Sequence, residues 1–205
     1  MDRFFLLVVA LVVILALRFF ARRFFVQIGT KAIARQPDAL HLKRSATPAW
    51  RNPAAVDAIT QTLLARGFTD GGTFTAPEMP AVIIRMFAKP AEAVCSCIYE
   101  HEKVGVWMDM FTRYQDTTGI TFTNTRDRGL SQRPGRPILH FPELSPADLY
   151  QQFIAERPAG AMVTITAEQL PRFYEEAYAE SMAWRKNKGI TAEEVARVAK
   201  TREET

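Results

Sequence analysis

The sequence predicts an α+β protein. We expect an N-terminal single transmembrane helix, followed by a cytoplasmic domain with an antiparallel five- to six-stranded sheet packed by helices. Three observations predict this: an apolar run at the N-terminus, short β-branched and aromatic segments between turn residues, and capped helical repeats around those segments. The predicted domains are 1–28, a transmembrane anchor with an interfacial extension; 29–52, a basic stalk; and 53–205, a soluble α+β domain.

The apolar run extends over fourteen residues, from Phe4 to Leu17. A spanning helix needs roughly 17 to 25 apolar residues, and the run reaches about 27 Å if Arg18 snorkels and the helix continues to Ala21. Because no small-x-small cleavage site follows, we predict a retained signal-anchor of a single-pass protein; a cleaved signal peptide is the alternative.

Charge predicts the orientation of this anchor. Basic residues are denser after the run than before it, where only Arg3 stands, and Lys and Arg are retained on the cytoplasmic side. The C-terminal domain is therefore expected in the cytoplasm. Simple anchoring is favoured over specific recognition of anionic lipid for the predicted membrane-interface residues, which are Arg18, Arg22, Arg23, Phe24 and Phe25.

The net charge of +4 is unevenly distributed. Residues 1–50 hold eight Lys or Arg against two Asp, whereas the remainder holds eighteen basic and twenty acidic residues. A slightly acidic domain has no general attraction for nucleic acid. The expected partners are the membrane lipid bilayer and a protein at the membrane, with no nucleic acid.

Cysteine and histidine usage predicts neither a disulfide nor a metal site. Cys95 and Cys97 would lie on one strand face about 7 Å apart, too far for an easy disulfide. The three histidines are scattered along the chain. We therefore expect reduced, buried thiols, no metal and no cofactor.

The elements follow one another as helix, strands and helices. Pro37 and Pro48 punctuate the stalk, and Asn52-Pro53 begins an amphipathic helix that ends at Gly67. Asp70-Gly71-Gly72 is expected to form a turn. The strands are expected at 73–76, 81–89, 93–101, 104–114 and 119–125, with a sixth at 138–141. Connections of about two to six residues favour an antiparallel meander with helices on one face.

Three capped helices follow the strands. Ser145-Pro146 begins a helix through Ile154. The capping pairs Thr166 with Gln169, and Thr191 with Glu194, predict helices that end near Lys188 and Arg202.

The strand from 104 to 114 indicates a candidate binding surface. One of its faces is apolar, whereas Trp107, Asp109, Phe111 and Arg113 share the other. Thr121, Thr123 and Thr125 of the next strand, and Arg85, are expected on the same mixed face. A cross-strand ion pair such as Asp109 with Arg85 is the favoured structural role, and contact with a polar ligand is the alternative.

The segment 126–137 is rich in arginine, glycine and proline, without periodicity. Its guanidinium groups could bind lipid phosphates or an acidic partner segment, although a solvated loop is the simpler interpretation. The candidate ligand or partner-binding residues are Arg126, Arg128, Arg133, Arg136, Arg85, Asp109, Arg113 and Trp107.

No catalytic constellation stands out. Glu100-His101-Glu102 could provide an acid or base, but a solvated turn is the simpler reading, and no catalytic residue is assigned. Glycine-rich phosphate loops, nucleophile elbows and paired metal ligands are missing from the sequence.

Three functions remain open. The leading one is a membrane-tethered, non-enzymatic binding or scaffold protein that acts at the cytoplasmic membrane surface. The alternative is a small-ligand or lipid-binding module with a cavity between sheet and long helix, lined by Trp107, Phe111, Phe122 and Trp184. The third is a membrane-bound hydrolase that uses Glu100, His101, Asp109 or Asp116.

Overall fold

The structure, a computed structural model, describes residues 3–203, with the side chains of residues 3–12, 15, 22, 202 and 203 outside the description. Its elements are α1 (Arg3–Ala34), β1 (Lys43–Arg44), α2 (Pro53–Ala65), β2 (Thr69–Thr75), β3 (Val82–Lys89), β4 (Val94–His101), β5 (Gly105–Arg113), β6 (Gly119–Thr123), β7 (Ile138–His140), α3 (Pro146–Glu156), α4 (Leu170–Lys188) and α5 (Ala192–Glu203).

The chain divides into two compact units. The sheet unit comprises residues 37–127 and 132–183, and the terminal unit comprises residues 1–36, 128–131 and 184–205. Each unit has its own packing.

The sheet has seven strands in the order β1 to β7. Neighbouring strands are antiparallel except β6 and β7, which are parallel. The prediction of an antiparallel sheet with five or six strands is therefore wrong, although the α+β class holds. A parallel connection needs about a dozen residues, and the loop from 124 to 137 provides that length.

The glycine pair in β2 forms a bulge rather than the predicted turn. The pairing register between β2 and β3 shifts between Asp70 and Gly72, and Gly72 has a φ of +101°. A Cβ on Gly71 would lie 2.9 Å from the carbonyl oxygen of Ala167 and 3.2 Å from that of Met86. The bulge allows β2 to begin at Thr69 and lets a neighbouring backbone approach closely.

Helices pack on both faces of the sheet, whereas the sequence predicted one covered face. The apolar side of β5, with Met108 and Met110, packs against α2 and α3 through Leu63 and Phe153. The opposite side, called the α4 face below, buries Cys95, Cys97 and Tyr99 with Leu170 of α4. Period-two alternation predicted which residues share a face but not that both faces are covered.

Part of the predicted stalk belongs to these units. Helix α1 continues through Ala34, and Lys43–Arg44 forms β1 against β2. Leu40 is buried, and Trp50 packs against the core that α2 and α3 cover. Leu40 and Trp50 therefore pack against apolar side chains, which could not be predicted from the polar residues around them in the sequence.

Glu194 organises the terminal unit. Its buried carboxylate accepts hydrogen bonds from the backbone N–H of Ser131 at 3.1 Å and the Ser131 hydroxyl at 2.9 Å. Lys188 Nζ lies 2.8 Å from the same carboxylate, and Arg185 also pairs with it. The Thr191 hydroxyl accepts from the Glu194 N–H at 3.2 Å, so one half of the predicted capping pair forms.

The predicted transmembrane anchor is wrong for the described part of the chain. No helix among the described residues is long and apolar enough to cross a membrane. Arg18, Arg23 and Lys31 interrupt the apolar residues of α1 whose side chains are described. The single-pass topology and the cytoplasmic orientation inferred from that anchor are overturned with it.

Some residues of that prediction lie outside the described side chains, namely residues 4–12 and Arg22. Arg18, Arg23, Phe24 and Phe25 are described, and each is exposed. Exposure of these four side chains does not test their predicted contact with lipid headgroups, which stays a prediction.

Candidate functional site

Three of the predicted arginines lie close together in the sheet unit, and two of them pair with one carboxylate. Glu180 of α4 pairs with Arg133 Nη1 at 3.0 Å and with Arg136 Nη2 at 2.9 Å. Arg113, at the end of β5, has its guanidinium carbon 5.2 Å from the ring centre of Phe173. We call Arg113, Arg133 and Arg136 the arginine cluster.

Local backbone geometry positions the two loop arginines. The N–H of Arg136 donates to the carbonyl of Arg133 at 3.0 Å and closes a turn, within which Gly135 has a φ of +72°. The Gln132 side chain bonds both the N–H and the carbonyl of Ile138, at 3.1 and 2.7 Å. These contacts order residues 132–138, in the second half of a segment for which the sequence favoured a solvated loop.

The electrostatics of the cluster show an excess of positive charge. Burial, followed by repulsion from Arg136 and Arg133, lowers the pKa of Arg113 to about 10 against the opposing effect of Glu180. Burial, followed by repulsion from Arg133, also lowers the pKa of Arg136. Glu180 provides one negative charge against the three guanidinium groups of the cluster.

A cavity of about 470 Å³ opens at the end of the sheet where β5 turns into β6. Its wall comes from the β5–β6 turn, from the arginine-rich loop and from the segment after α3. The lining residues are Tyr114, Gln115, Asp116, Thr118, Gly119, Ile120, Gly135, Pro137, Pro158, Ala159, Gly160 and Ala161. Pockets of about 300–1,000 Å³ are typical of small-molecule sites.

Two members of the arginine cluster contact the cavity wall. Arg136 Nε donates to the carbonyl of Thr117 at 3.1 Å, in the turn between the lining residues Asp116 and Thr118. A Cβ built on Gly119 would lie 3.4 Å from Arg113 Nη1. Gly135 and Pro137, on either side of Arg136, are themselves lining residues. The cluster therefore lies beside the cavity.

Asp109 and Trp107 lie on the same face as Arg113 but in a different environment. Asp109 is half-buried opposite Cys97 of β4 and Thr123 of β6. Burial raises the pKa of Asp109 to about 6 and outweighs the hydrogen bonds of the Thr123 and Tyr99 hydroxyls, which lower it. Trp107 stacks on Tyr99 with ring centres 5.0 Å apart.

The other predicted binding residues are not part of this site. Arg85 lies on the opposite face of the sheet, where it pairs with Asp70 at 2.6 Å, so the suggested Asp109–Arg85 pair does not form. Arg126 is an exposed residue of the sheet unit. Arg128 belongs to the terminal unit.

The cavity expected between sheet and long helix is replaced by side-chain contacts. Phe111 stacks on Phe173 of α4 with ring centres 6.3 Å apart, and Phe122 is buried on the opposite face. Trp184 belongs to the terminal unit. Strand alternation places Phe111 and Phe122 on different faces, so they could not line one cavity.

The residues suggested for hydrolysis are dispersed. Glu100 is buried and accepts from the backbone N–H groups of Arg51 and Asn52, both at 2.7 Å, at the start of α2. His101 Nδ1 accepts from the N–H of Lys103 at 3.1 Å within a hairpin turn. Asp116 accepts from the Thr118 N–H and hydroxyl, at 2.9 and 2.6 Å. Asp109 faces away from Glu100 by strand alternation.

The thiols and the metal-binding side chains show no reactive arrangement. Cys95 and Cys97 are buried, and burial raises the pKa of Cys95 to about 12 and that of Cys97 well above its ordinary value. A thiol of this kind is a poor nucleophile at neutral pH. The described residues contain no group of three or more His, Cys, Asp or Glu that could hold a metal ion.

Sequence reasoning missed Glu180 and the cavity wall. Glu180 is separated from Arg133 by 47 residues, so only the tertiary fold brings them together. The repeated glycines and prolines near 135–137 and 158–160 were the available signal, because such residues often allow a close approach of backbone segments.

Comparison of the chain with protein-family models, with curated proteins and with solved structures finds no match in any of the three.

Proposed function

We propose that the sheet unit is a non-enzymatic binding module that recognises an anionic group on its partner through Arg113, Arg133 and Arg136. The observation that carries this proposal is the pairing of Arg133 and Arg136 with the single carboxylate of Glu180, while Arg113 lies close enough to interact electrostatically with all three groups. A phosphate or carboxylate in the cluster would relieve repulsion among these cations. Arginine also presents paired N–H groups that suit either anion.

The burial of the arginines favours recognition over general charge attraction. The side chains of Arg136 and Arg133 are 18% and 29% exposed, whereas that of Glu180 is 51% exposed. Partly buried charges are screened less by salt than fully exposed ones. Exposed Glu180 can move towards water and leave its two hydrogen-bond donors to an incoming anion.

The test uses the full chain and inorganic phosphate at constant ionic strength, with binding followed by nuclear magnetic resonance titration. We expect Arg136→Gln to weaken phosphate binding about tenfold, because it removes a charged hydrogen-bond donor. Glu180→Gln should instead tighten binding, because it removes the competing carboxylate.

Arg172→Gln provides the matched control. Arg172 lies on α4 and pairs with Glu176 at 2.9 Å, but its side chain is 86% exposed and belongs to no cluster. The proposal fails if phosphate binds equally to the wild type and to Arg136→Gln, or if Arg172→Gln weakens binding as much as Arg136→Gln does.

A further inference from the structure

We infer that the ligand of this module is a small amphiphilic anion. Its carboxylate or phosphate would bind Arg113 and Arg136, while its apolar body would occupy the cavity at the β5–β6 turn. The inference rests on the proposed function and names the ligand class of that same site. The observation behind it is the position of the cavity beside the arginine cluster.

The cavity wall suits an apolar body. Ile120, Pro137, Pro158, Ala159 and Ala161 contribute to the lining. The Tyr114 hydroxyl donates to the carbonyl of Pro158 at 2.6 Å, so its polar group is already bonded to the protein. At 470 Å³ the cavity accepts a small molecule, whereas a folded partner would need a larger surface.

Arg113 and Arg136 can bind the anionic head of such a molecule because both side chains lie against the cavity wall. Arg136 reaches the turn through the carbonyl of Thr117, and Arg113 passes beside Gly119. An anion that contacts both guanidiniums therefore lies next to the lining residues of the turn. One small molecule could therefore place its polar head on the arginines and its apolar body in the cavity without a long linker between them.

Asp116 provides the opposing charge that orients the ligand. Hydrogen bonds from the Thr118 hydroxyl and N–H lower the pKa of Asp116, so this lining carboxylate stays ionised. Repulsion from Asp116 disfavours an anionic head deep in the turn, whereas the arginine cluster attracts it. The apolar body is left to the wall formed by residues 158–161.

The test compares four probes on the full chain: inorganic phosphate, octyl phosphate, octanoate and octanol. We expect octyl phosphate to bind at least about tenfold tighter than phosphate, because each buried methylene contributes about fourfold. Octanoate tests whether a carboxylate serves as well as a phosphate, and octanol tests the cavity without an anionic head. Octanol should bind more weakly than either amphiphilic anion.

Two variants separate the cavity from the arginine cluster. Ala159→Trp should fill the cavity and remove the gain from the alkyl chain, measured as the ratio of the octyl phosphate affinity to the phosphate affinity. The exposed Ala58→Trp on α2 is its control and should leave all four affinities unchanged. Arg136→Gln should weaken both amphiphilic anions and leave octanol binding unaffected.

The outcomes distinguish the two proposals. Phosphate binding with no gain from the alkyl chain overturns the ligand class but leaves the proposed function standing. If octanol binds as tightly as octyl phosphate and Arg136→Gln has no effect, the arginine cluster is not a recognition site and both proposals fail. If none of the four probes binds, both fail as well.

Discussion

Asp109 couples stability to pH at the scale of a single residue. Burial raises its pKa from 3.8 to about 6, so between about pH 7 and pH 4 the folded protein takes up a proton that the unfolded chain does not. The favourable contribution is fully present below about pH 4 and is lost as the pH rises through 6. At neutral pH the ionised carboxylate therefore lowers the free energy of unfolding.

We expect Asp109→Asn to stabilise the protein at pH 8 by roughly 1–3 kcal/mol and to have little effect near pH 4. The asparagine oxygen can still accept the hydroxyl hydrogen bonds of Thr123 and Tyr99. Urea unfolding at the two pH values measures the difference. The exposed Asp57→Asn on α2 is the control, and an equal stabilisation by Asp109→Asn at both pH values would contradict the argument.

The sequence predicted which residues surround Asp109 but not the environment of that carboxyl group. Period-two alternation placed Trp107, Asp109, Phe111 and Arg113 on one face, as observed. Asp109 lies opposite Cys97 on the face that the distant helix α4 covers, where Tyr174 packs against Tyr99. Because that packing is non-local, strand periodicity could not reveal it.

At the scale of elements, Glu194 connects α5 to the segment 128–131 within the terminal unit. Burial acts to raise the pKa of Glu194, but hydrogen bonds from Lys188, Ser131 and Arg185 together lower it to about 2. The stabilisation is present above about pH 4.5 and is lost as the pH falls towards 2. The buried carboxylate of Glu194 is the common ion-pair partner of Arg185 and Lys188.

We expect Glu194→Gln to weaken the attachment of α5 by about 3 kcal/mol at pH 7, because two cations lose their carboxylate. Hydrogen exchange should therefore accelerate by about a hundredfold at the α5 amides of residues 195–201. Ala199→Gln, at an exposed position of the same helix, should leave exchange nearly unchanged. Unchanged protection in Glu194→Gln would show that apolar contacts alone hold α5.

The bulge in β2 is a second feature at this scale, and replacing its glycine should measurably destabilise the protein. A Cβ at Gly71 would meet two backbone carbonyl oxygens, and neither can rotate away as a side chain would. We expect Gly71→Ala to reduce the free energy of unfolding by about 1–3 kcal/mol in urea titrations. Thr69→Ala, at an exposed position of the same strand, is the control. A Gly71→Ala variant as stable as the wild type would exclude the close approach.

Turn chemistry predicted most elements well because its signals are local. Asn52-Pro53, Ser145-Pro146 and the capping pair of Thr166 with Gln169 lie at or next to observed helix starts. The Asp70–Gly72 segment was misread because glycines serve turns and bulges equally. Hydrogen bonding of β2 to β3 makes this segment a bulge and not a turn, and local sequence signals do not report that pairing.

At the scale of the whole molecule, anion binding should raise thermal stability. A ligand that binds only the folded state, at ten times its Kd, adds about 1.4 kcal/mol to the free energy of unfolding. We expect phosphate to raise Tm relative to chloride at equal ionic strength, with a smaller rise for Arg136→Gln and a larger one for Glu180→Gln. The same rise in the wild type and in Arg136→Gln would indicate a general salt effect.

The arginine cluster shows how far a sequence defines a site. Arg113, Arg133 and Arg136 were predicted from composition and strand alternation, together with Arg85, Arg126 and Arg128, which lie elsewhere. What selected three of the six is the crossover of the chain from β6 to the parallel strand β7 and the packing of α4. Both depend on contacts between residues far apart in sequence.

The short strands β1 and β7 also affect how copies of this protein meet in concentrated solution. They occupy the two margins of the sheet and contain two and three residues, and both residues of β1 are exposed and basic. An open strand margin recruits foreign strands in proportion to its length and lack of charge. The five longer strands are flanked on both sides, so the sheet is protected from growing into fibrous aggregates.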